Sequence, residues 1–165
     1  MLSQALQDII NDQIAMEMHA SLTYLSMAAY FEANNLEGCA HWMRLQSSEE
    51  QAHAMKFFEF LNDRGARVRL QAIGSPPVEF ESPLTVFEKA LEHEQKVTAK
   101  INQIYTLALK ENDYPTQVML HWFIEEQVEE EKSASQIIEL LKMTGGQPAV
   151  LLMLDRQLAA RGSDH

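Results

Sequence analysis

The sequence predicts an all-α protein, a four-helix bundle that has a long crossover between helices 2 and 3 and a short C-terminal fifth helix. Apolar residues recur at the helical period of 3.6 through four long segments that contain few breakers. Between the second and third segments lies a stretch with a glycine, two prolines and no sustained period. A length of 165 residues and a hydrophobic content of 46% suit one domain, residues 1–165, with a sizeable core.

Turn and capping signals set the bounds of the predicted helices. Asn34 and Asn35 end the first segment, and Gly65 is a typical C-terminal cap for the second. Ser82 suits the N-cap of the third segment because its hydroxyl can accept a hydrogen bond from a free backbone N–H, and Pro83 fits the first helical position. The predicted helices are, in chain order, residues 3–33, 36–64, 83–112, 115–144 and 148–160.

The connection between the second and third predicted helices is long enough to cross the whole bundle. It runs from Ala66 to Ser82, and 17 residues can span roughly 55 Å at about 3.3 Å per residue. A helix of 28 residues is only about 42 Å long at 1.5 Å per residue. The two helices that it joins can therefore start at opposite ends of the bundle.

One pair of residues in the second predicted helix has the spacing of a metal-binding motif. Glu50 and His53 are three residues apart, so on a helix they lie on one face and can reach the same ion. The pair interrupts the apolar stripe of the helix, where an unpaired ionised carboxylate would cost several kcal/mol. Because a single Glu-x-x-His pair often arises by chance, a metal site also requires partners on other helices.

The other three long helices each carry polar residues in their apolar stripe at a matching depth. These residues are Glu17, Glu94, and Gln127 together with Glu130. At 1.5 Å per residue, the layer that they form with Glu50 lies roughly 18 to 24 Å from one end of the bundle. Burying several carboxylates, an imidazole and an amide together is close to prohibitive unless cations lie among them. Such ligands suit iron, manganese or zinc, and bridging carboxylates suggest two ions; the spacing does not choose among the metals.

Composition excludes several classes of protein. The net charge of -11 argues against a nucleic-acid partner and suits a lining that collects cations, although a solubilising acidic surface accounts for it equally well. Residues 1–11 contain no basic region, and no stretch approaches 18 apolar residues, so we expect no signal peptide, no membrane anchor and a cytoplasmic location. The single cysteine, Cys39, excludes an internal disulfide and is expected to be a small core residue.

Through these residues the chain resembles the bacterial non-haem ferritins, of the ferritin-like di-iron carboxylate family, over essentially its whole length. That family combines one glutamate from each of two helices with Glu-x-x-His pairs from the other two, in a ferritin-like four-helix bundle with a long crossover. Glu17 and Glu94 match the single glutamates, and Glu50 with His53 matches one complete pair.

Two positions separate this chain from the related haem-containing bacterioferritins. Gln127 and Glu130 stand where bacterioferritins usually have a second Glu-x-x-His pair. Gln51 follows the glutamate of the first pair, where bacterioferritins have a methionine. The chain is similar to the non-haem bacterial ferritins at both positions, so no haem is expected.

The resemblance implies a ferroxidase, with a di-iron centre that oxidises Fe(II) to Fe(III) by using dioxygen or peroxide. Glu50 would bridge the two irons, with Glu17 and His53 on the first iron, and Glu94 and Gln127 on the second. An aromatic side chain could donate an electron during oxidation, for which Tyr24 is favoured over Trp122. The candidate catalytic residues are therefore Glu17, Glu50, His53, Glu94, Gln127 and Tyr24.

A second acidic cluster is implied to hold a third iron. Its residues are Glu49, Glu126, Glu129 and Glu130. Without the resemblance, a solvated acidic face would be the simpler interpretation of these glutamates. With it, they join the di-iron ligands as candidate metal-binding residues.

The short fifth helix indicates an assembly. Residues 148–160 carry several leucines, too apolar to be left in water and too late in the chain to join a complete four-helix core, so they need a partner surface. In ferritins the corresponding helix packs around the fourfold axis of a hollow shell. The resemblance thus implies a homo-oligomer of 24 subunits that stores iron as a mineral.

Three alternatives belong to other classes. A di-iron peroxidase of the rubrerythrin kind would need a Cys-x-x-Cys iron site, which one cysteine excludes. A DNA-protecting mini-ferritin would usually have a basic tail and lack the fifth helix, whereas the first ten residues here contain no Lys or Arg. A metal-free interaction bundle requires some other neutraliser of the buried acids.

The remaining histidines either fall off the central stripes or lie at the terminus. A surface or an interface is therefore expected for them rather than metal ligation. They are His19, His41, His93, His121 and His165.

Overall fold

The computed structural model describes residues 1–162 and confirms the all-α fold class. The helices are α1 (Gln4–Ala33), α2 (Glu37–Asp63), α3 (Pro83–Lys110), α4 (Tyr114–Met143) and α5 (Pro148–Ala159). Their ends lie within two residues of the predicted ends. Within the described residues no helix is long and apolar enough to cross a membrane. The expectation for His165 lies outside the described residues.

The helix starts follow from local side-chain caps, with one exception. Ser3 Oγ accepts from Leu6 N at 3.2 Å, and Ser82 Oγ accepts from Thr85 N at 3.1 Å. The residue before α2, Leu36, offers no side-chain cap. The α2 N-terminus is capped instead by Asp155, from the distant helix α5.

The long crossover runs along α1, as its predicted reach allows. Near its start, Asn11 Nδ2 donates to the carbonyl oxygen of Arg67 at 3.1 Å. Near its end, the rings of Tyr30 and Phe80 meet edge to face, with centroids 5.5 Å apart. The contacts thus extend from Asn11 to Tyr30, about 28 Å along α1 at 1.5 Å per residue.

A polar layer divides the bundle core into two apolar clusters. One cluster contains Phe31 and Phe87, and the other contains Phe57 and Ile101. Between them lie buried polar residues that all four long helices contribute. These residues are Gln13 and Glu17 from α1, Gln46, Glu50 and His53 from α2, Glu94 from α3, and Gln127 and Glu130 from α4. Helix packing thus creates the single layer that the stripe positions predicted.

The fifth helix packs on its own chain, which corrects the expectation that its apolar face needs a separate partner. Leu154 and Leu158 are buried in the same cluster as Trp42 of α2. Asp155 lies between them and accepts hydrogen bonds from the backbone N–H groups of Gly38 at 3.1 Å and Cys39 at 2.8 Å. These are the free donors of the α2 N-terminus, so α5 caps α2.

The other side of α5 remains open. Leu152 and Met153 are exposed by 53% and 71%. Only this side of the helix is available for contact with another subunit. Cys39 is fully buried, as expected.

Candidate metal centre

Glu17, Glu50 and His53 come together from α1 and α2. The Nδ1 atom of His53 lies 3.7 Å from Glu50 Oε1 and 3.9 Å from Glu17 Oε2. One ligand atom from each residue lies within 4.8 Å of the other two, close enough for one metal ion. Gln13, one turn before Glu17, donates to Glu17 Oε1 at 2.9 Å and fixes the orientation of that carboxylate.

Glu94 is held from two sides. The hydroxyl of Tyr24 donates to Glu94 Oε1 at 2.5 Å, and Gln127 Nε2 donates to Glu94 Oε2 at 3.1 Å. Gln127 Nε2 also lies 3.2 Å from Thr98 Oγ1, which donates to Glu131 Oε2 at 2.8 Å. Tyr24 is therefore in direct contact with the proposed site, and the side-chain nitrogen of Gln127 faces Glu94 and Thr98.

Three carboxylate oxygens of Glu17 and Glu50, the glutamates nearest His53, lack a hydrogen-bond partner. Within residues 1–162, the buried side-chain atoms without a hydrogen-bond partner are Glu17 Oε2, both carboxylate oxygens of Glu50, and His93 Nε2. Glu50 is 0% exposed. An unpartnered buried carboxylate is strongly unfavourable, and a cation among these oxygens would remove the cost. The donor set, carboxylates plus imidazole, fits a borderline divalent metal such as iron, manganese or zinc.

Burial changes the protonation of the whole layer. It raises the pKa of Glu50 well above the ordinary value, and the nearby Glu17 and Glu94 carboxylates add to this effect. It raises the pKa of Glu94 to about 7, although the Tyr24 and Gln127 hydrogen bonds oppose it. The pKa of His53 falls to about 4 because of burial and the charge of Lys56, so this imidazole is neutral at pH 7 and its lone pair can bind a metal.

Only some residues of the second acidic cluster, called the outer acids below (Glu49, Glu126, Glu129 and Glu130), come within metal-binding distance of one another. Glu130 is buried, and Gln46 Nε2 donates to its Oε2 at 2.5 Å. Ligand atoms of Glu126, Glu130 and His53 lie within 4.8 Å of one another. Glu49 instead pairs with Arg161, and Glu129 is exposed. In the part of the chain that the structure describes, no such three-residue group includes Glu49 or Glu129.

The site also contains residues that the sequence analysis did not interpret. Gln13 and Gln46 lie on the same helical stripes as Glu17 and Glu50, and that position was the available signal. A buried amide is nearly always hydrogen-bonded, so an amide on the stripe, one turn from a buried glutamate, indicates a partner within the polar layer. The partners are Glu17 for Gln13 and Glu130 for Gln46. Arg161, by contrast, has no local signal because its partners are more than 100 residues away.

Two aromatic residues flank His53. Its ring meets Trp122 edge to face with centroids 5.4 Å apart, and Phe123 at 5.9 Å. Trp122 is 38% exposed, and the ammonium group of Lys56 lies 4.0 Å above its ring. Trp122 is thus next to a candidate ligand but faces solvent, whereas Tyr24 is buried and bonded to Glu94.

One histidine lies where it was not expected. His93 was predicted at a surface or an interface, but its Nε2 atom is buried, and a ring nitrogen lies within 4.8 Å of oxygens of Glu50 and Glu94. The apolar stripe of α3 includes Glu94 but not His93, because adjacent residues point about 100° apart around a helix. The stripe therefore did not indicate that His93 lies near the site. His121 is exposed, and His19 and His41 are half-buried.

Known proteins share this architecture. A family model described as a ferritin-like domain matches residues 7–144. A bacterial non-haem ferritin of Staphylococcus saprophyticus is 38% identical, over 99% of this chain and 98% of that protein. One from Bacteroides fragilis is 40% identical, over 98% and 100%. A solved structure, an open pore ferritin of the archaeon Archaeoglobus fulgidus, has a TM-score of 0.97 and 43% identity, covering 98% of this chain and 99% of its own.

The sequence and structural comparisons agree along almost the entire chain. The matched residues 7–144 include all four long helices except a few residues at the start of α1. The aligned relatives extend further and cover α5 as well. The chain belongs to the ferritin family.

Proposed function

We propose that this protein is a ferroxidase that oxidises Fe(II) at a di-iron centre and stores the ferric product as a mineral in a hollow shell. The observation that carries the proposal is the unpartnered, fully buried carboxylate of Glu50, which lies between Glu17 and His53 on one side and Glu94 on the other. A bridging ligand of two cations needs this central position and two free oxygens. Membership of the ferritin family supports iron as the substrate.

Five residues would bind the two ferrous ions. Glu17, Glu50 and His53 would bind the first ferrous ion, and Glu50 and Glu94 with Gln127 the second. Iron bound there gives up electrons to dioxygen or peroxide, and anionic ligands favour the ferric state. Gln13 orients Glu17 through its hydrogen bond to Oε1.

Tyr24 has a defined place in this scheme. Its hydroxyl donates to Glu94, so it orients a proposed ligand, and its buried ring lies close enough to supply an electron during oxidation. Burial and the Glu94 charge raise the pKa of Tyr24 well above 10.0, so the phenol stays protonated and keeps donating at neutral pH.

A third iron position would accompany the pair. Glu126 and Glu130 are the residues that the geometry favours for it, because they approach His53, while Glu49 and Glu129 lie further out as entry or exit ligands. Ferric product would leave the centre through these acids towards the mineral.

The assembly is proposed to be a cytoplasmic shell of 24 subunits, without nucleic-acid or membrane partners. The relatives named above are ferritins, and one is described as having an open pore. The exposed side of α5, with Leu152 and Met153, is a surface that neighbouring subunits would cover. Native mass together with iron content after loading tests the shell and its subunit number.

The deciding experiment is Glu50→Ala in the intact protein. Loss of both bridging oxygens should abolish rapid ferrous oxidation and weaken binding of two redox-inert cations. Because Glu50 makes no hydrogen bond through its carboxylate oxygens, its removal should not lower the thermal stability of the metal-free protein. Glu92→Ala, an exposed glutamate two residues from Glu94, is the matched control. An unchanged initial oxidation rate in the Glu50 variant would contradict the proposed centre.

A further inference from the structure

His93 carries a buried nitrogen for which the fold supplies no partner. It is half-buried on α3, and its Nε2 is fully enclosed without a hydrogen bond within residues 1–162. The other buried side-chain atoms in that condition are carboxylate oxygens of Glu17 and Glu50. Buried polar atoms are nearly always paired, so these unpartnered atoms on neighbouring side chains indicate a ligand that the protein atoms do not supply.

The position of the ring supports this interpretation. A ring nitrogen of His93 lies within 4.8 Å of a carboxylate oxygen of Glu50 and of one of Glu94, and these two oxygens are equally close to each other. The ring of Tyr24 packs edge to face against the His93 ring, with centroids 6.0 Å apart. Tyr24 thus contacts both the imidazole and Glu94, and it restricts where each can move.

The chemistry of the second metal position has a gap that His93 can fill. On α4, Gln127 and Glu130 occupy the places of a second Glu-x-x-His pair, so the pair position on that helix provides no imidazole to the centre. An imidazole ring nitrogen is a usual ligand of borderline metals, so His93 would supply the nitrogen donor that α4 lacks at this position.

We propose that His93 is a metal ligand, and that Glu50, His93 and Glu94 together hold a borderline divalent cation at the second position. The second imidazole of the centre then comes from α3 instead of α4. This inference rests on the proposed di-iron function and adds a nitrogen donor to it. An imidazole selects iron, cobalt or zinc over magnesium and calcium, which prefer oxygen donors.

The test uses zinc and cobalt, which report binding without iron oxidation. Crystals of the full-length protein soaked in Zn²⁺ should show a zinc ion bound to Glu50 and Glu94, with a His93 nitrogen about 2.0 to 2.1 Å away. In solution, Co²⁺ titration followed by its visible absorption should show two strong sites per subunit. His93→Asn and His93→Leu should each weaken one of them at least about tenfold, the scale of effects that even indirect ligand partners have.

Controls separate the possible outcomes. His121→Asn, at an exposed histidine on α4, should leave both cobalt sites unchanged. Zinc bound to Glu50 and Glu94 with His93 turned away, or unchanged cobalt affinities in both variants, would overturn the His93 assignment and leave the di-iron proposal intact. Absence of zinc and cobalt from Glu17, Glu50 and His53 as well would contradict the proposed function itself. Because the zinc positions are read from the unmodified protein, poor folding of a variant does not affect them.

Discussion

The guanidinium of Arg161 lies beside the carboxylate of Glu49, with 3.1 Å between Nη2 and Oε2. The same guanidinium donates to Gln46 Oε1 at 2.7 Å and stacks over the ring of Trp42, 4.5 Å from its centroid. Gln46 in turn donates to Glu130. The Arg161 guanidinium is thus paired with Glu49 and is linked through Gln46 to Glu130. Both glutamates belong to the outer acids, along which iron is proposed to pass.

Arg161→Gln should strengthen cation binding at the outer acids. The Glu49 side chain is 44% exposed and that of Arg161 is 23% exposed. A partly exposed ion pair contributes about 0.2 to 1 kcal/mol, so its loss should raise the affinity by up to about fivefold. Titration with Zn²⁺ measures this change. Arg156→Gln, an exposed arginine of α5, is the control, and equal affinities in both variants would show that Arg161 does not compete with metal.

The outer acids should affect turnover more than the first oxidation. Replacing Glu49, Glu126 and Glu129 by Ala should leave the rapid oxidation of two irons intact and change the oxygen consumed per iron or the recovery between cycles. Of the single variants, Glu126→Ala should have the largest effect because its carboxylate approaches His53. Oxygen-electrode and stopped-flow measurements test this, with exposed Glu125→Ala as control. Normal stoichiometry and turnover in the triple variant would make these residues a solvated face.

The metal-free protein should lose stability as the pH rises from 6.5 to 9. Burial raises the pKa of Glu94 to about 7 and that of Glu130 to about 9, from 4.5. Over this range the unfolded chain holds fewer protons on these carboxyls than the folded chain, so the free energy of unfolding decreases with pH. The lowered pKa values of His53 and His93, both about 4, act in the opposite direction only below 6.5.

Thermal unfolding followed by circular dichroism tests this dependence. The midpoint should fall across that range in the presence of a chelator and change much less with Zn²⁺ bound, because the cation neutralises the carboxylates. Glu130→Gln keeps an acceptor for Gln46 and should flatten the decline between pH 7 and 9. A constant midpoint in the chelated wild-type protein would show that the buried carboxyls do not titrate in this range.

Gly38→Ala should displace α5 from α2. A Cβ atom at Gly38 would lie 1.7 Å from the Asp155 carbonyl oxygen, and both groups are backbone or fixed to it. Relieving such overpacking costs about 1 to 3 kcal/mol, and it also weakens the Asp155 cap. The expected result is a lower unfolding midpoint and faster proteolysis after Met143. Gly74→Ala, with no atom within 4 Å of the added Cβ, is the control. Equal midpoints would contradict the close contact.

The order and bounds of the helices were predictable because local physics determines them. Ser82 and Pro83 start α3 as predicted, through a hydroxyl cap and a fixed φ. Gly65 follows α2 with a φ of 69°, a conformation that glycine adopts without strain. The candidate centre was predictable for a related reason: a glutamate on an apolar stripe, as at Glu17 or Glu94, reveals its burial through the period of the helix alone.

The contacts that complete the site were not predictable in the same way. Asp155 caps α2 from 117 residues away, Arg161 reaches Glu49 from beyond α5, and His93 lies off the stripe that contains Glu94. No helical period relates such positions, because each depends on how α5 lies on α2 or how α3 turns towards Tyr24. The sequence by itself therefore determined the four-helix bundle and its layer of buried acids. Only the tertiary structure decided that Arg161 reaches the outer acids, that His93 approaches the layer and that Asp155 caps α2, because those contacts are set by packing between segments distant in the chain.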